Sequence, residues 1–450
     1  MNKRILFSAA LLAVLGGPAA FAQSSPWTDT NLGANAENLG VRDFDMPSQD
    51  VIWGIQYDGT GTAGAVTQDM FLSVDGGATF LINPVATANS ATAALVNVSA
   101  IDATTAYVSA YNDASGSGGF VFKTTDGGNT WAELPLPVVP FLNLVHMFNA
   151  TEGVVMSDPD AAGFVIYRTA DGGATWTRVP AASVPAPVSG DYGLVNQFSS
   201  FGDNIWFSSF KGQVYHSADK GLTWMKVTTG FTGTATAAAI RDIEFSDANN
   251  GIISGRLKNT IKATTDGGMT WTTVTLAPSA DAFGDDITRV PGQAGTYVST
   301  GVNFTAGTGA TGSSVTYDNG KTWIQLDSGQ QRTAVIFFDA SHGWAGTFSQ
   351  AAGVGGLIKY TGEPLVLGLR NEIVRENSAA YPNPTTGLLR LAGADSRETV
   401  TVYDQAGRIA VRQAVGAAAT LDLSTQPVGL YQLMFTGGKV ARTTRVAVTR

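Results

Sequence analysis

The chain has 450 residues, no cysteine, 53 glycines and only 14% charged residues, with a formal net charge of −9. Without cysteine neither a disulfide nor a thiolate metal site can form, and a glycine-rich, charge-poor composition favours many short strands and tight turns over long helices. Residues 23–362 hold 15 Lys and Arg against 29 Asp and Glu, while residues 363–450 hold 10 against 7; an acidic body of this kind speaks against a nucleic-acid surface, which needs a basic stripe.

Residues 1–22 read as a secretory signal peptide. Lys3 and Arg4 open it, an apolar run follows, and Ala20, Phe21 and Ala22 supply the small-residue cleavage site. The mature chain is expected to begin at Gln23. No later apolar run approaches the ~20 residues of a membrane helix, so no transmembrane segment is expected.

The body that follows is repetitive. An octapeptide recurs as SVDGGATF (73–80), TTDGGNTW (124–131), TADGGATW (169–176), SADKGLTW (217–224), TTDGGMTW (264–271) and TYDNGKTW (316–323). Its aspartates, Asp75, Asp126, Asp171, Asp219, Asp266 and Asp318, lie 45 to 52 residues apart. A period of that size with several short strands per unit is the mark of a propeller. One unit displays the plan: AIRDIEF, IISGRL, NTIKAT and TWTTVTL are four strands, with SDANNG turning the first pair and TDGGM the last.

First-strand and second-strand pairs number seven, beginning VRDFDMP, LVNVSAI, LNLVHMF, LVNQFSS, IRDIEFS, ITRVPGQ and RTAVIFF. The seventh unit has a third strand, GLIKYTG, and no octapeptide after it. The N-terminal PWTDTNL (26–32) carries its Trp where a fourth strand would, so it is expected to close the ring against GLIKYTG. The expected fold class is therefore all-β: a seven-bladed β-propeller at 23–362, a linker at 363–380 and a small C-terminal β-sandwich at 381–450.

Within the octapeptide the second residue after the Asp is always Gly, and the first is Gly, Lys or Asn. That pattern predicts a turn needing positive φ at one position, with the Asp carboxylate accepting turn amides beside the preceding Ser or Thr. Trp53, Trp206 and Trp344, which open second strands, are expected in the core.

The octapeptide is similar to the Asp box, or bacterial neuraminidase repeat. Residues 27–362 thus resemble the Asp-box β-propellers: sialidases, some endoglucanases, sortilin-type receptors and the photosystem II assembly factor. The resemblance implies the fold, and makes each box a structural turn rather than a catalytic device. A sialidase would also carry an Arg-Ile-Pro motif in its first blade, where this chain has GVRDFDMP, and no Tyr–Glu nucleophile pair is identifiable.

The tail reads YPNPTTGLLRL, then strands separated by Ala-Gly, Pro-Val-Gly and Gly-Gly turns. With Tyr381, Pro382, Asn383, Pro384 and Gly387, the strand and turn at Val402, Tyr403, Asp404 and Gly407, then Gly429, Leu430 and Tyr431 and a basic last strand, it resembles the type A C-terminal sorting domain of type IX secretion in Bacteroidota. That resemblance implies type IX machinery as a partner, and passage across the outer membrane to release or surface anchoring.

In a four-stranded blade the octapeptides share one rim with the 1–2 turns. The opposite rim carries the long loops 57–69, 179–193, 277–286 and 303–314, and loops on a rigid scaffold carry function. Arg42, Arg241, Arg289 and Arg332 lie at or just before first-strand starts on that rim. Converging, they would suit a carboxylate or phosphate, whose geometry the guanidinium fork matches; the alternative is that Arg42 and Arg241 pair with Asp43, Asp45, Asp242 or Glu244.

No catalytic residue is assigned. Glu244, Asp285 and Asp286 are the carboxylates nearest a glycosidase pair, with the adjacent aspartates expected in solvent. His146, His216 and His342 stand apart in sequence and give no metal spacing. SDPD (157–160) near YND (111–113) offers oxygens for calcium without matching an EF-hand loop, and no metal and no cofactor is expected. The leading expectation is a secreted or surface propeller that binds an extracellular glycan or protein through the loop face; the alternative is a glycoside hydrolase of sialidase or endoglucanase type.

Overall fold

The computed structural model describes residues 25–60, 62, 66–233, 238–255, 259–276, 283–302, 311–366, 380–392, 394, 398–405, 408–436 and 442–450. The leader, most of the linker, Gly407 and the tips of the loops 57–69, 277–286 and 303–314 lie outside them. The chain divides into two compact units, 1–366 and 367–450.

The described part of the first unit is seven four-stranded antiparallel sheets. The first is Leu39–Ser48, Val51–Asp58, Asp69–Ser73 and Leu81–Pro84. The next five follow the same sequential order. The seventh takes Val335–Phe337, Gly343–Ala351 and Val354–Tyr360, and its outer strand is Trp27–Asn31 from the other end of the unit, with Trp27 opposite Tyr360. A strand fetched from the N-terminus pins the two ends of this unit together. Trp27 is buried against Phe337 and Tyr360, and its indole N–H reaches Ser313 Oγ at 2.9 Å.

The strands form because β-branched and aromatic residues alternate in them, and most second and third strands are buried on both faces. Trp53, Trp206 and Trp344 are 0–2% exposed, and Trp53 and Trp206 spend their indole N–H groups on the carbonyls of Asp102 and Gly267 in the following sheet's turns.

All six octapeptides fold identically. The Asp carboxylate accepts the backbone N–H and hydroxyl of the Thr four residues on, as Asp75 does from Thr79 at 2.9 and 2.6 Å, and as Asp126, Asp171, Asp219, Asp266 and Asp318 do from their own threonines. The Ser or Thr hydroxyl two residues earlier donates to the same carboxylate and accepts the N–H of the second Gly, as Ser73 does from Gly77 at 2.9 Å.

One expectation needs correction: two positions, not one, have positive φ. The first is +57 to +73° and the second +78 to +88°. The first position's N–H donates to a carbonyl of the neighbouring 1–2 turn, such as Gly76 to Asp50 and Lys220 to Asp203. It lies in the left-handed region that Lys220 and Asn319 can occupy. The second is always Gly because it also faces the interior: a Cβ on Gly77 would stand 2.2 Å from the Trp344 ring.

The second unit holds a three-stranded sheet (Ala380–Tyr381, Leu388–Leu391, Thr420–Asp422) and a four-stranded one in the order Ile409–Ala414, Thr399–Tyr403, Gly429–Thr436, Arg442–Val448. Leu389 and Leu421 of one share a single apolar core with Val400, Leu433 and Val446 of the other.

Candidate functional site

The first strands of the seven sheets are neighbours in succession, and the last returns to the first. Each is an edge strand, so its outward N–H groups have no ladder partner. The chain supplies acceptors from the preceding sheet. Asp43 and Asp45 take the N–H groups of Val98 and Ala100 at 2.8 and 2.7 Å. Asn97 and Ser99 take those of Val145 and Met147, both at 3.0 Å. Ser199 takes Phe245, Asp242 takes Ile287, Glu244 takes Arg289 and Asp286 takes Val335. Acceptors two residues apart lie on one face of a strand, so a pair of them staples two alternate amides of its neighbour.

These strands enclose a cavity of about 360 Å³ to which all seven contribute. Asn196, held at φ +54° where its strand loses register, donates to Asp43 Oδ1 at 3.0 Å and spans the cavity from the fourth sheet to the first.

The electrostatics follow from burial of acids with few cations. Burial pushes Asp43 up to about 8, Asp45 to about 6 and Asp286 to about 7. Asp242 and Glu244 are raised for the same reason, Asp242 further by the charges of Asp286 and Glu244. Burial takes His146, packed edge-on against Phe148, down to about 4, so it stands neutral.

The four arginines do not converge. Arg241 pairs with Asp285, Arg289 with Glu244 at 3.1 Å, and Arg332, fully buried, with Asp327 beneath the Trp27 ring. Arg42 lies over Tyr57 at 5.0 Å and, among the described residues, has no carboxylate partner. Arg42 and Arg289 line the cavity; Arg241 and Arg332 do not. Arg42 and Arg241 are the extra residues of β-bulges, between Val41 and Asp43 and between Ile240 and Asp242, and a bulge re-aims the side chain it inserts. The expected partners differ as well: Asp43 and Asp242 serve backbone amides rather than arginines.

The expectation that Asp285 and Asp286 stand in solvent also fails. Asp285 is held by Arg241 and the N–H of Val302, and Asp286 starts the sixth sheet's inner strand as a staple. In SDPD, Asp158 accepts from Asn143 and Gly193 and Asp160 pairs with Arg178. No group of three His, Asp or Glu placed to hold a metal occurs among the described residues. His216 lies flat on Trp206 and bonds Asn204, and His342 bonds Asp339.

Away from the octapeptides the rim bears aromatic pairs on the 2–3 and 4–1 connections: Tyr111 stacked on Phe141 at 4.7 Å and Tyr192, 40% exposed, on Phe210 at 4.4 Å. Sequence reasoning missed these, together with Gln56 and Asn196. The staples had a visible signal, a polar residue at matching places in four first strands: Asp43, Asn97, Asp242 and Asp286.

Residues 379–449 match the secretion system C-terminal sorting domain. The chain is exported by type IX secretion, to the cell surface or to release. No curated protein matches it. Among solved structures, YCF48 bound to D1 peptide shares 17% identity at a TM-score of 0.52, over 76% of this chain and 98% of its own. The GH74 enzyme of Niastella koreensis shares 14% identity at a TM-score of 0.26 over 69% and 66%. PorZ of Porphyromonas gingivalis, a surface component of the type IX secretion system, shares 11% at 0.26 over 89% and 73%. The first likeness shows the fold, a β-propeller.

Proposed function

We propose that this type IX cargo is a seven-bladed propeller of the Asp-box kind, with a C-terminal sorting sandwich of Bacteroidota type, that binds an extracellular protein or glycan through the rim opposite the octapeptides. One observation carries the reading. The octapeptide side chains and most channel acids are committed to hydrogen bonds inside the fold, whereas the opposite rim presents stacked aromatic faces such as Tyr192 on Phe210. Exposed aromatics anchor protein interfaces and stack on sugars alike. YCF48, similar in fold, was captured with a peptide bound, which favours a protein partner.

A second reading has its own support. Asp286, raised to about 7, lines the cavity and sits in the range of a general acid, as a glycoside hydrolase would need.

The test uses the full chain. It is applied to arrays of glycans and of surface proteins, and in parallel to sialylated and plant-type oligosaccharides with products read by mass spectrometry. Binding lost in Tyr192→Ala and kept in Leu222→Ala, on the octapeptide rim, supports the binder. Binding lost only in Leu222→Ala overturns it. Cleavage abolished by Asp286→Asn makes the protein a hydrolase.

A further inference from the structure

Between the first and second sheets, beside the central cavity, lies a smaller pocket of about 160 Å³. Gln56 lines it while only 1% exposed, and neither its carbonyl oxygen nor its amide nitrogen has a hydrogen-bond partner among the described residues. Arg42 lines it as well, with a buried Nε–H likewise unpartnered and no ion pair among the described residues. Buried polar groups are almost always satisfied, and leaving an amide and a guanidinium N–H unmet is costly. The arrangement therefore asks for a guest that brings acceptors to Arg42 and to the Gln56 amide, and a donor to the Gln56 carbonyl.

Charge narrows the guest. Asp58 and Asp113 also line the pocket, and neither makes an ion pair among the described residues; Asp58 Oδ1 accepts only from Thr60. One cation and two carboxylates suit neither a plain anion, which the acids repel, nor a plain cation, which Arg42 repels. A ligand with an anionic and a cationic end fits both. The rest of the wall is mixed: Val66, Ala94 and Leu95 supply apolar surface, while Tyr57, Tyr111, Thr62 and Thr67 add aromatic faces and hydroxyls. The volume admits a small molecule rather than a chain.

We propose that this pocket binds a free α-amino acid with an apolar side chain. Its carboxylate lies against Arg42 and the Gln56 amide N–H, its ammonium faces Gln56 Oε1 and the carboxylates of Asp58 and Asp113, and its side chain rests on Leu95, Ala94 and Val66. The site goes beyond the macromolecular binding proposed above and does not depend on it, for it uses neither Tyr192 nor Phe210.

The test is calorimetric titration of the full chain with L-leucine, N-acetyl-L-leucine and L-leucinamide. The free amino acid binds, and each derivative, having lost one charge, binds more than tenfold more weakly. Gln56→Leu removes the unmet amide in favour of an apolar group of similar size, so its melting temperature holds or rises while leucine binding is lost. Arg42→Met loses binding as well. Equal binding of N-acetyl-L-leucine, no binding of L-leucine, or full binding by a well-folded Gln56→Leu variant each overturns the proposal. Loss of macromolecular binding in Tyr192→Ala with leucine binding intact separates the two sites.

Discussion

In the turn at 73–80, Asp75 stands in solvent, and bonds from the Thr79 hydroxyl and N–H, with Ser73 behind them, hold its carboxyl at about 2. On the inner strand of the same sheet, Asp43 accepts from Val98 and Asn196, yet burial carries it to about 8. Both are aspartates accepting donors at 2.6–3.0 Å. The hydrogen bonds are of similar quality, so the opposite shifts come from water: hydration keeps the Asp75 charge cheap, and its loss makes the Asp43 charge costly despite good donors. The turn aspartates are local parts, complete within eight residues. The channel aspartates are long-range parts, each needing the next sheet in place.

The sharpest way to break this comparison is at the glycine that joins a turn to the interior. Gly77→Ala would drive a methyl into the Trp344 ring at positive φ and should cost roughly 3 kcal/mol or more. Gly76→Asn, at a position that Asn319 already occupies in another copy, should cost roughly 0.5 kcal/mol. Urea unfolding followed by tryptophan fluorescence measures both, since all nine tryptophans precede residue 366. Equal losses would show that the second glycine is not special.

The next effect is pH dependence of the channel. The folded values of Asp43, Asp45 and Asp286, about 8, 6 and 7, lie above those of the unfolded chain, so the fold binds more protons than the unfolded state. Stability is then greatest below about pH 4 on account of these groups and declines as pH rises toward 8. Asp43 alone should contribute on the order of 4 kcal/mol of that decline between pH 5 and 8. Denaturation midpoints of Asp43→Asn against pH should therefore fall less steeply than those of the parent chain; parallel slopes would remove Asp43 from the account.

The smallest effect belongs to the turns and has the opposite sign. The values of Asp75 and Asp171, about 2, lie below the unfolded range, so their contribution is present above about pH 4 and vanishes as pH falls through 2. Asp75→Ala should lower the melting temperature slightly at pH 7 and leave it unchanged near pH 2. A loss that persists at pH 2 would mean that the carboxylate charge is not what the turn uses.

Much of this was legible beforehand. The octapeptides, the strand pairs and the N-terminal strand of the seventh sheet could be read because each depends on period and turn chemistry carried by a few adjacent residues. The site was less legible. Arg42, Arg241, Arg289 and Arg332 were grouped by their place along first strands, but bulges turned Arg42 and Arg241 aside, and Asp285, Glu244 and Asp327 captured three of the four. Gln56 sits unremarked in a run of buried strand residues. Nothing local marks it, for its meaning lies in what faces it from the second sheet.

By itself the sequence determined the strand periodicity, the six capped turns and the export address at 379–449, since these rest on interactions among residues close in the chain. Only the tertiary structure decided which acids are charged, which of the four rim arginines has no carboxylate partner among the described residues, and where a buried amide there goes unmet. Those outcomes depend on water excluded by packing, and on partners about 50 to 150 residues away, as Val98 and Asn196 are from Asp43.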